Sequence, residues 1–569
     1  MNRRELAQLC CEKPDVAAFV GLPARMPQED GSVDAVERAL DGVGSDSDAP
    51  VTWEEFCKWF ARNPAEHRRA YCPDDELCAT PSSSSMGVCN APVKERRNSA
   101  APAQHAATTS KVAFKLSDGD SSSGDDNEVT HQFIELIRYR LGAAWRLVEE
   151  VHLMGLRLAV FARSQLAVTN VEKAWSATGV GKMMGNKGGL VVGLDVRGTS
   201  LAFVGCHLAA HKPMTKRRGE DCEQILRQAR VRHKSLDVCA QFDHCFWLGD
   251  LNYRLDPEGK DREERREERD VVHALIQSRC WPELMRYDQL RREQAKGEIF
   301  VGFREGEPDF PPTFKVERRA GVTYSEKRVP AYCDRVLWKS LPHLQGNVRQ
   351  TSLSAVEGAS TSDHKPVAAT FEIVPSETPR AERFLSVDEL DDAVPIYITK
   401  LEAEGLVAKD MHGKSDPYIV FQSVPLSLLG RSPAVERQTK AKAQSLHPQW
   451  HASEVPVLRA AVRAKGASDV LAHCTLVLDL YDRDYVGGDD PLGTALVSLA
   501  PTSGAVAPAA EDFNSRKDRY AIEFCAPIIL ANAHRGEVRG RLVVYHGAED
   551  AMRANAGRRT RNRKCCIVA

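Results

Sequence analysis

Asp250 and Asn252 stand two residues apart in the stretch CFWLGDLNYRLD (245–256), directly after the apolar run Cys245, Phe246, Trp247, Leu248. On an extended chain the period of two puts both side chains on one face. Gly249 lets the backbone turn or approach another chain segment closely. An acid and an amide at a strand end are either turn formers or half of a catalytic site. Their company bears on the choice. His207 ends a second apolar run in FVGCHLAAH, Asp334 and Arg335 follow PAYC, and Asp363 and His364 occur in TSDHKPV. Carboxylates and imidazoles are the side chains that exchange protons with a reacting group. Two strand-end histidines beside Asp-x-Asn and Ser-Asp-His are hard to explain as independent turn formers.

The elements that must position these residues follow from the pattern along the chain. With 569 residues the chain is too long for one core. Its 42% hydrophobic and 27% charged content is that of an ordinary folded protein. A formal net charge of -2 gives no global attraction to nucleic acid, so any basic patch is local. The opening MNRRELAQLCCEKPD lacks a signal peptide's apolar core, and no run is long enough to span a membrane. The 16 cysteines show no paired spacing, so reduced thiols and a cytoplasmic location are expected. The segments read as an EF-hand-like helical stretch (1–65), a polar disordered linker (66–130), an α/β domain (131–375), a second linker (376–391), an all-β sandwich domain (392–548) and a basic tail (549–569). The alternating charges of GKDREERREERD (259–270) read as a solvated helix with i,i+4 pairs rather than a nucleic-acid contact.

Taken in order, GNKGG (185–189), CHLAAH, WLGDLNYR, PAYCDRVLW and SDHKPV resemble the inositol polyphosphate 5-phosphatases of the endonuclease/exonuclease/phosphatase superfamily. The resemblance implies a four-layer α/β sandwich with its site at strand ends. It implies removal of the 5-phosphate from phosphoinositides or inositol polyphosphates, a reaction that needs activated water, cations around the phosphoryl group and usually a divalent metal. By motif position Asp250 orients or deprotonates the water, and Asn252 holds a phosphate oxygen. His207 and His364 bind the phosphate, with His364 kept cationic by Asp334. Asp363 lies beside the metal or helps position His364, and Arg335, Asn186 and Lys187 act near the phosphates. The family's head-group cluster maps onto Lys315, Lys327 and Lys339, with Phe314 where a tyrosine is usual. The family's opening Trp-Asn and Gln-Glu strands are not found. Glu128, in DDNEV, stands nearest the expected position of the Mg²⁺ ligand.

The all-β domain is similar to a C2 domain. Asp410 and Asp416, and Asp482, Asp484 and Asp490, fill the five acidic positions of its Ca²⁺-binding type. Such a site bridges to anionic lipid, with Val486 at the tip. GSDSDAPVTWEEF resembles half an EF-hand, with Asp46, Asp48 and Glu55 at ligand positions; Gly44 and Ala49 replace the usual Asp and Gly, so a structural relic is expected. The chain closes on Cys566-Ile567-Val568-Ala569, a CaaX pattern that would be prenylated at Cys566, with Cys565 open to palmitate beside a basic cluster. The expected function is therefore a Mg²⁺-dependent 5-phosphatase held peripherally on anionic membranes. Its partners are phosphoinositide lipids and not nucleic acid. The alternative is a catalytically silent, Ca²⁺-dependent membrane adaptor.

Overall fold

A computed structural model describes residues 134–545 apart from 179–186, 258–263, 326–327, 377–383, 386–391, 410–412, 431–433, 465, 485–487 and 501–518. The readings at Asp46, Asp48, Glu55, Glu128, Asn186, Lys327, Asp410, Val486, Cys565 and Cys566 lie outside the described residues.

The α/β half is built on a six-stranded sheet. In chain order its strands are β3 (Val168–Ala177), β4 (Gly188–Val196), β5 (Thr199–His207), β6 (His244–Asp250), β7 (Arg304–Glu305) and β8 (Asp334–Ser340). They lie side by side as β3-β4-β5-β6-β8-β7. β4 reads GGLVVGLDV and is buried along most of its length, as a strand covered on both faces must be. One face packs on helix α1 (Thr215–Gln228), where Cys222, Ile225 and Leu226 meet Ala202, Val204 and Trp247 in one cluster. The other face packs on two antiparallel hairpins. The first comprises β1 (Trp145–Leu153) and β2 (Leu156–Arg163); the second comprises β9 (Val348–Ala355) and β10 (Val367–Ile373). Val151, Leu156 and Leu158 of the first, and Val348, Phe371 and Ile373 of the second, share a cluster with Leu190, Val192, Phe246 and Trp338 of the large sheet. The two stacked sheets expected from the sequence are present. Among the described residues the second consists of two separate hairpins rather than one continuous ladder.

The C-terminal half is a curled, all-antiparallel sheet. It contains β11 (Val394–Glu404), β12 (Pro417–Val424), β13 (Gln449–Trp450), β14 (Leu458–Ala460), β15 (Thr475–Asp482), β16 (Asp490–Ser498), β17 (Arg519–Leu530) and β18 (Ala533–Tyr545). A single pairing, Thr494 with Ile529, carries the ladder from β16 to β17. The sheet then encloses one core that includes Ile396, Phe421, Trp450, Leu478 and Leu542.

The two halves belong to one compact unit. Leu236, Leu341 and Leu344 form an apolar seam with Val424 and Val477. At its edge the His343 imidazole Nδ1 lies 2.9 Å from the Thr475 hydroxyl. Among the described residues no helix is long and apolar enough to cross a membrane.

Candidate active site

Strand register assembles the site. Gly188 of β4 pairs with His207 of β5, His207 with Asp250 of β6, and Asp250 with Asp334 of β8. Three functional side chains therefore share one cross-strand row at the strand ends, where directly opposed side chains stand roughly 5 Å apart on one face. The neighbouring Gly249 has φ 131°, and a Cβ there would collide with the Cys206 carbonyl. Glycine at that position lets β5 and β6 approach closely. The chain then turns through Asn252, whose φ of 57° is left-handed, a conformation asparagine tolerates better than most residues.

The row opens into a cleft of about 580 Å³ lined by Lys187, His207, His211, Lys212, Asp250, Asn252, Arg254, Arg269, Phe314, Lys315, Arg328 and His364, with Ala210, Leu255 and Val329. The His207 Nε2 lies 3.1 Å from Asp250 Oδ2 and against the Lys187 ammonium. Burial alone would push the Asp250 carboxyl up. The hydrogen bond and charge of His207, with the charges of His364 and Lys187, outweigh burial and hold it below the usual carboxylate range. Burial lowers the Lys187 ammonium, against the opposing pull of Asp250 and Asp221. The His364 Nδ1 sits 2.9 Å from Asp334 Oδ2, which also accepts a 2.7 Å bond from the Thr313 hydroxyl. Burial works against the His364 cation. The hydrogen bond and charge of Asp334, with Asp250 and Asp363, more than reverse this and leave the imidazole above its usual range. Asp363 takes a 2.7 Å ion pair from Lys315, which lowers its carboxyl.

Three sequence expectations are corrected. Arg335 follows Asp334 by one residue, so alternation turns it to the opposite face of β8. There its buried guanidinium pairs with Asp288 at 3.0 Å and with Glu305 at 2.5 Å, away from the cleft. Lys339 opposes Cys245 near the far end of β8, roughly 17 Å along the strand from Asp334. Its ammonium sits 5.7 Å from the centre of the Phe303 ring. Asn252 lines the cleft but is only 2% exposed. Its amide donates to the Leu208 carbonyl at 3.1 Å and accepts from Arg254 at 2.6 Å, so it fixes an arginine rather than presenting a free amide.

Sequence reasoning passed over five cationic or imidazole residues of the cleft: His211, Lys212, Arg254, Arg269 and Arg328. Three were within reach, since Arg254 belongs to the quoted LNYR motif and His211-Lys212 close and follow CHLAAH. Arg254 also stacks on the Phe314 ring at 4.5 Å, and that ring lies 4.6 Å from the His364 ring. Arg269 comes from helix α2 (Glu264–Gln277), the charge run read as purely solvated.

For cations, no three carboxylate, imidazole or thiolate groups among the described residues converge on one point. Each cleft carboxylate already has a cationic or imidazole partner, so the described part of the cleft does not by itself fit a divalent metal. The acidic loops of the C-terminal half fit better. Asp482 directly opposes Asp490. Asp482 accepts from the Asp416 amide at 2.5 Å, while its second oxygen is buried without a partner. Asp416 accepts from the Gln444 amide at 2.6 Å, and the Asp484 amide donates to Asp489 at 3.1 Å.

Comparison with known proteins gives a consistent picture. The endonuclease/exonuclease/phosphatase family 2 profile matches residues 100–370, and the C2 domain profile matches residues 396–512. The chain is 31% identical over 446 residues to phosphatidylinositol 3,4,5-trisphosphate 5-phosphatase 2B of Danio rerio, covering 74% of this chain and 32% of that protein. It is 35% identical over 243 residues to type II inositol 1,4,5-trisphosphate 5-phosphatase of Mus musculus, covering 41% of this chain and 23% of that protein. A similar solved structure is the inositol polyphosphate 5-phosphatase domain of SPsynaptojanin with inositol (1,4)-bisphosphate and calcium ion, at 27% identity and a TM-score of 0.37, covering 44% of this chain and 70% of that one. The chain spans about a third or less of the length of these curated relatives. With strand-end chemistry, fold and relatives in agreement, the chain carries an endonuclease/exonuclease/phosphatase domain followed by a C2 domain, and its relatives are inositol polyphosphate 5-phosphatases.

Proposed function

We propose that the protein hydrolyses the 5-phosphate of membrane phosphoinositides, working at the surface of anionic membranes. The observation that carries this reading is the convergence of Asp250, His207 and His364 on one cleft lined with lysine and arginine side chains. In this reading the Asp250 carboxylate, held in its basic form by His207 and Lys187, takes the proton of the attacking water. His364, cationic through Asp334, meets the phosphate, with Lys187 and Arg254 spreading positive charge around it. Lys315 and Arg328 face the rest of the head group. Lys327 joins them by its sequence position. Mg²⁺ is the metal we propose, supplying further charge neutralisation when bound. Its acidic ligand would come from outside the described residues, and Glu128 is the sequence's candidate.

Membrane delivery is assigned to the C2 domain, with Ca²⁺ at the Asp410, Asp416, Asp482, Asp484 and Asp490 loops, and to a prenyl group on Cys566. One lipid chain binds a membrane only marginally, so the two devices would act together. The silent-adaptor reading has one observation in its favour: among the described residues no cation site is complete in the cleft. Phosphate release from vesicles containing phosphatidylinositol 4,5-bisphosphate, with Mg²⁺, separates the two. The enzyme should exceed its Asp250→Ala variant by about 10²-fold or more. Equal release from both would leave the adaptor.

A further inference from the structure

Helix α3 (Gln289–Ala295) begins beside the cleft and leads into a loop that meets the C2 domain. At its first residue the buried Gln289 side chain accepts from Arg218 at 2.8 Å and from the Arg254 amide at 3.1 Å, and donates to the Lys212 carbonyl at 3.1 Å. The Gln289 amide also donates to the Arg254 carbonyl at 2.9 Å. Lys212 and Arg254 both line the cleft, so one glutamine sets the backbone of two of its cations.

Past the last residue of α3, the loop 296–302 receives the turn between β17 and β18. Ala531 and Asn532 have φ of 55° and 66°, the paired left-handed geometry of a tight two-residue hairpin turn. Just after that turn, on β18, His534 donates its amide to the Gly297 carbonyl at 2.7 Å, and Val301 donates to the Asn532 carbonyl at 3.0 Å. Gly297 has φ 74°, and a Cβ there would stand 3.1 Å from the His534 Cβ, so the seat is close-fitting. Arg535 adds an ion pair to Glu298 at 3.3 Å. Phe300 of the same loop, and Phe303 just after it, pack edge-on against Trp247 at 5.2 and 6.3 Å, and Trp247 precedes Asp250 by three residues on β6.

We infer that the β17–β18 turn of the C2 domain is a positioning element for the cleft, raising its affinity for phosphate esters through α3 and Gln289 independently of any membrane. This rests on the reading of the cleft as a phosphate-ester site. A C2 domain that serves only for delivery would leave soluble ligands unaffected. The test is therefore free of vesicles: titration calorimetry of the full chain with inositol 1,4,5-trisphosphate, with turnover of the same compound in parallel. His534→Pro removes the amide donor from the C2 side, and Gln289→Leu removes the side-chain bonds at the other end. Each should weaken binding about 5-fold, the scale of coupling between sites. The change should fall in KM rather than kcat. The double variant should be no worse than the weaker-binding single, as expected of two steps in one chain of contacts. If His534→Pro loses its thermal transition, Gly297→Leu opens the same seat from the other side and is judged in the same way. Unchanged affinity in a folded seat variant, or losses that multiply in the double variant, would overturn the coupling while the phosphatase reading stands. A wild-type chain that binds no inositol phosphate overturns both.

Discussion

The imidazole of His364 shows how a single contact sets the chemistry of the cleft. Left to burial alone it would lose its proton more readily than a free histidine; Asp334 reverses that. Because its pKa is raised above the usual 6.5, the cation is present at low pH and disappears as pH rises through the raised value. Asp250 works the other way. Its carboxylate persists below the usual 3.8 because His207, His364 and Lys187 surround it. Phosphate release should therefore fall on the alkaline side as His364 deprotonates. Asp334→Asn should move that limb to lower pH and reduce the plateau rate by about 10²-fold. A pH–rate profile of the two proteins checks this, and an unmoved alkaline limb would assign it to another group. His207, Asp250 and His364 were legible in the sequence because each ends an apolar run or sits in a compact motif. Asn252 was legible as a site residue but not in its contacts, since its link to Arg254 depends on a left-handed turn that no periodicity announces.

Strand β8 shows where adjacency in sequence misleads. Asp334 and Arg335 are neighbours in one motif, yet the pleat sends one to the cleft and the other into a buried cluster with Asp288 and Glu305. Asp288 also caps α3 by accepting from the Arg291 amide at 3.0 Å, so the arginine ties β8 to that helix. Arg335→Ala would strand two buried carboxylates without their counter-charge. It should cost about 3–5 kcal/mol of stability, read from urea unfolding. A loss of substrate affinity at unchanged stability would instead restore Arg335 to the phosphate site. Lys339 teaches a related lesson: five residues along a strand carry a side chain out of reach of a site that its motif seems to share. The order of the strands in the sheet was not legible either, because β7 and β8 are joined by a long irregular segment. That segment supplies Phe314, Lys315 and Arg328 to the cleft.

Over the whole molecule, the alternation of helices and apolar strands, then of short strands alone, was enough to separate an α/β half from an all-β half. What the pattern did not carry is how the halves meet, since the seam is made of isolated leucines and valines that any surface might hold. At this scale the acidic loops make their own prediction. Asp482 has a buried oxygen without a partner and faces Asp490 across the ladder. Asp482→Asn should raise the Ca²⁺ concentration needed for co-sedimentation with anionic vesicles by about tenfold, the scale on which coordination partners act on metal affinity. Equal Ca²⁺ dependence in both proteins would remove the metal from that loop.

The row formed by Gly188, His207, Asp250 and Asp334 has a consequence for how the molecule comes into being. Each of its members arrives on a different strand, and β8 begins only at Asp334, far along the chain from the end of β6 at Asp250 against which it closes. Such distant pairings are slow to form in a folding chain. A ribosome-bound or proteolytically nicked intermediate that lacks β8 would hold three quarters of the row and none of the imidazole–carboxylate couple at Asp334. Until β8 joins the sheet, the His364–Asp334 couple on which the proposed chemistry depends cannot be in place.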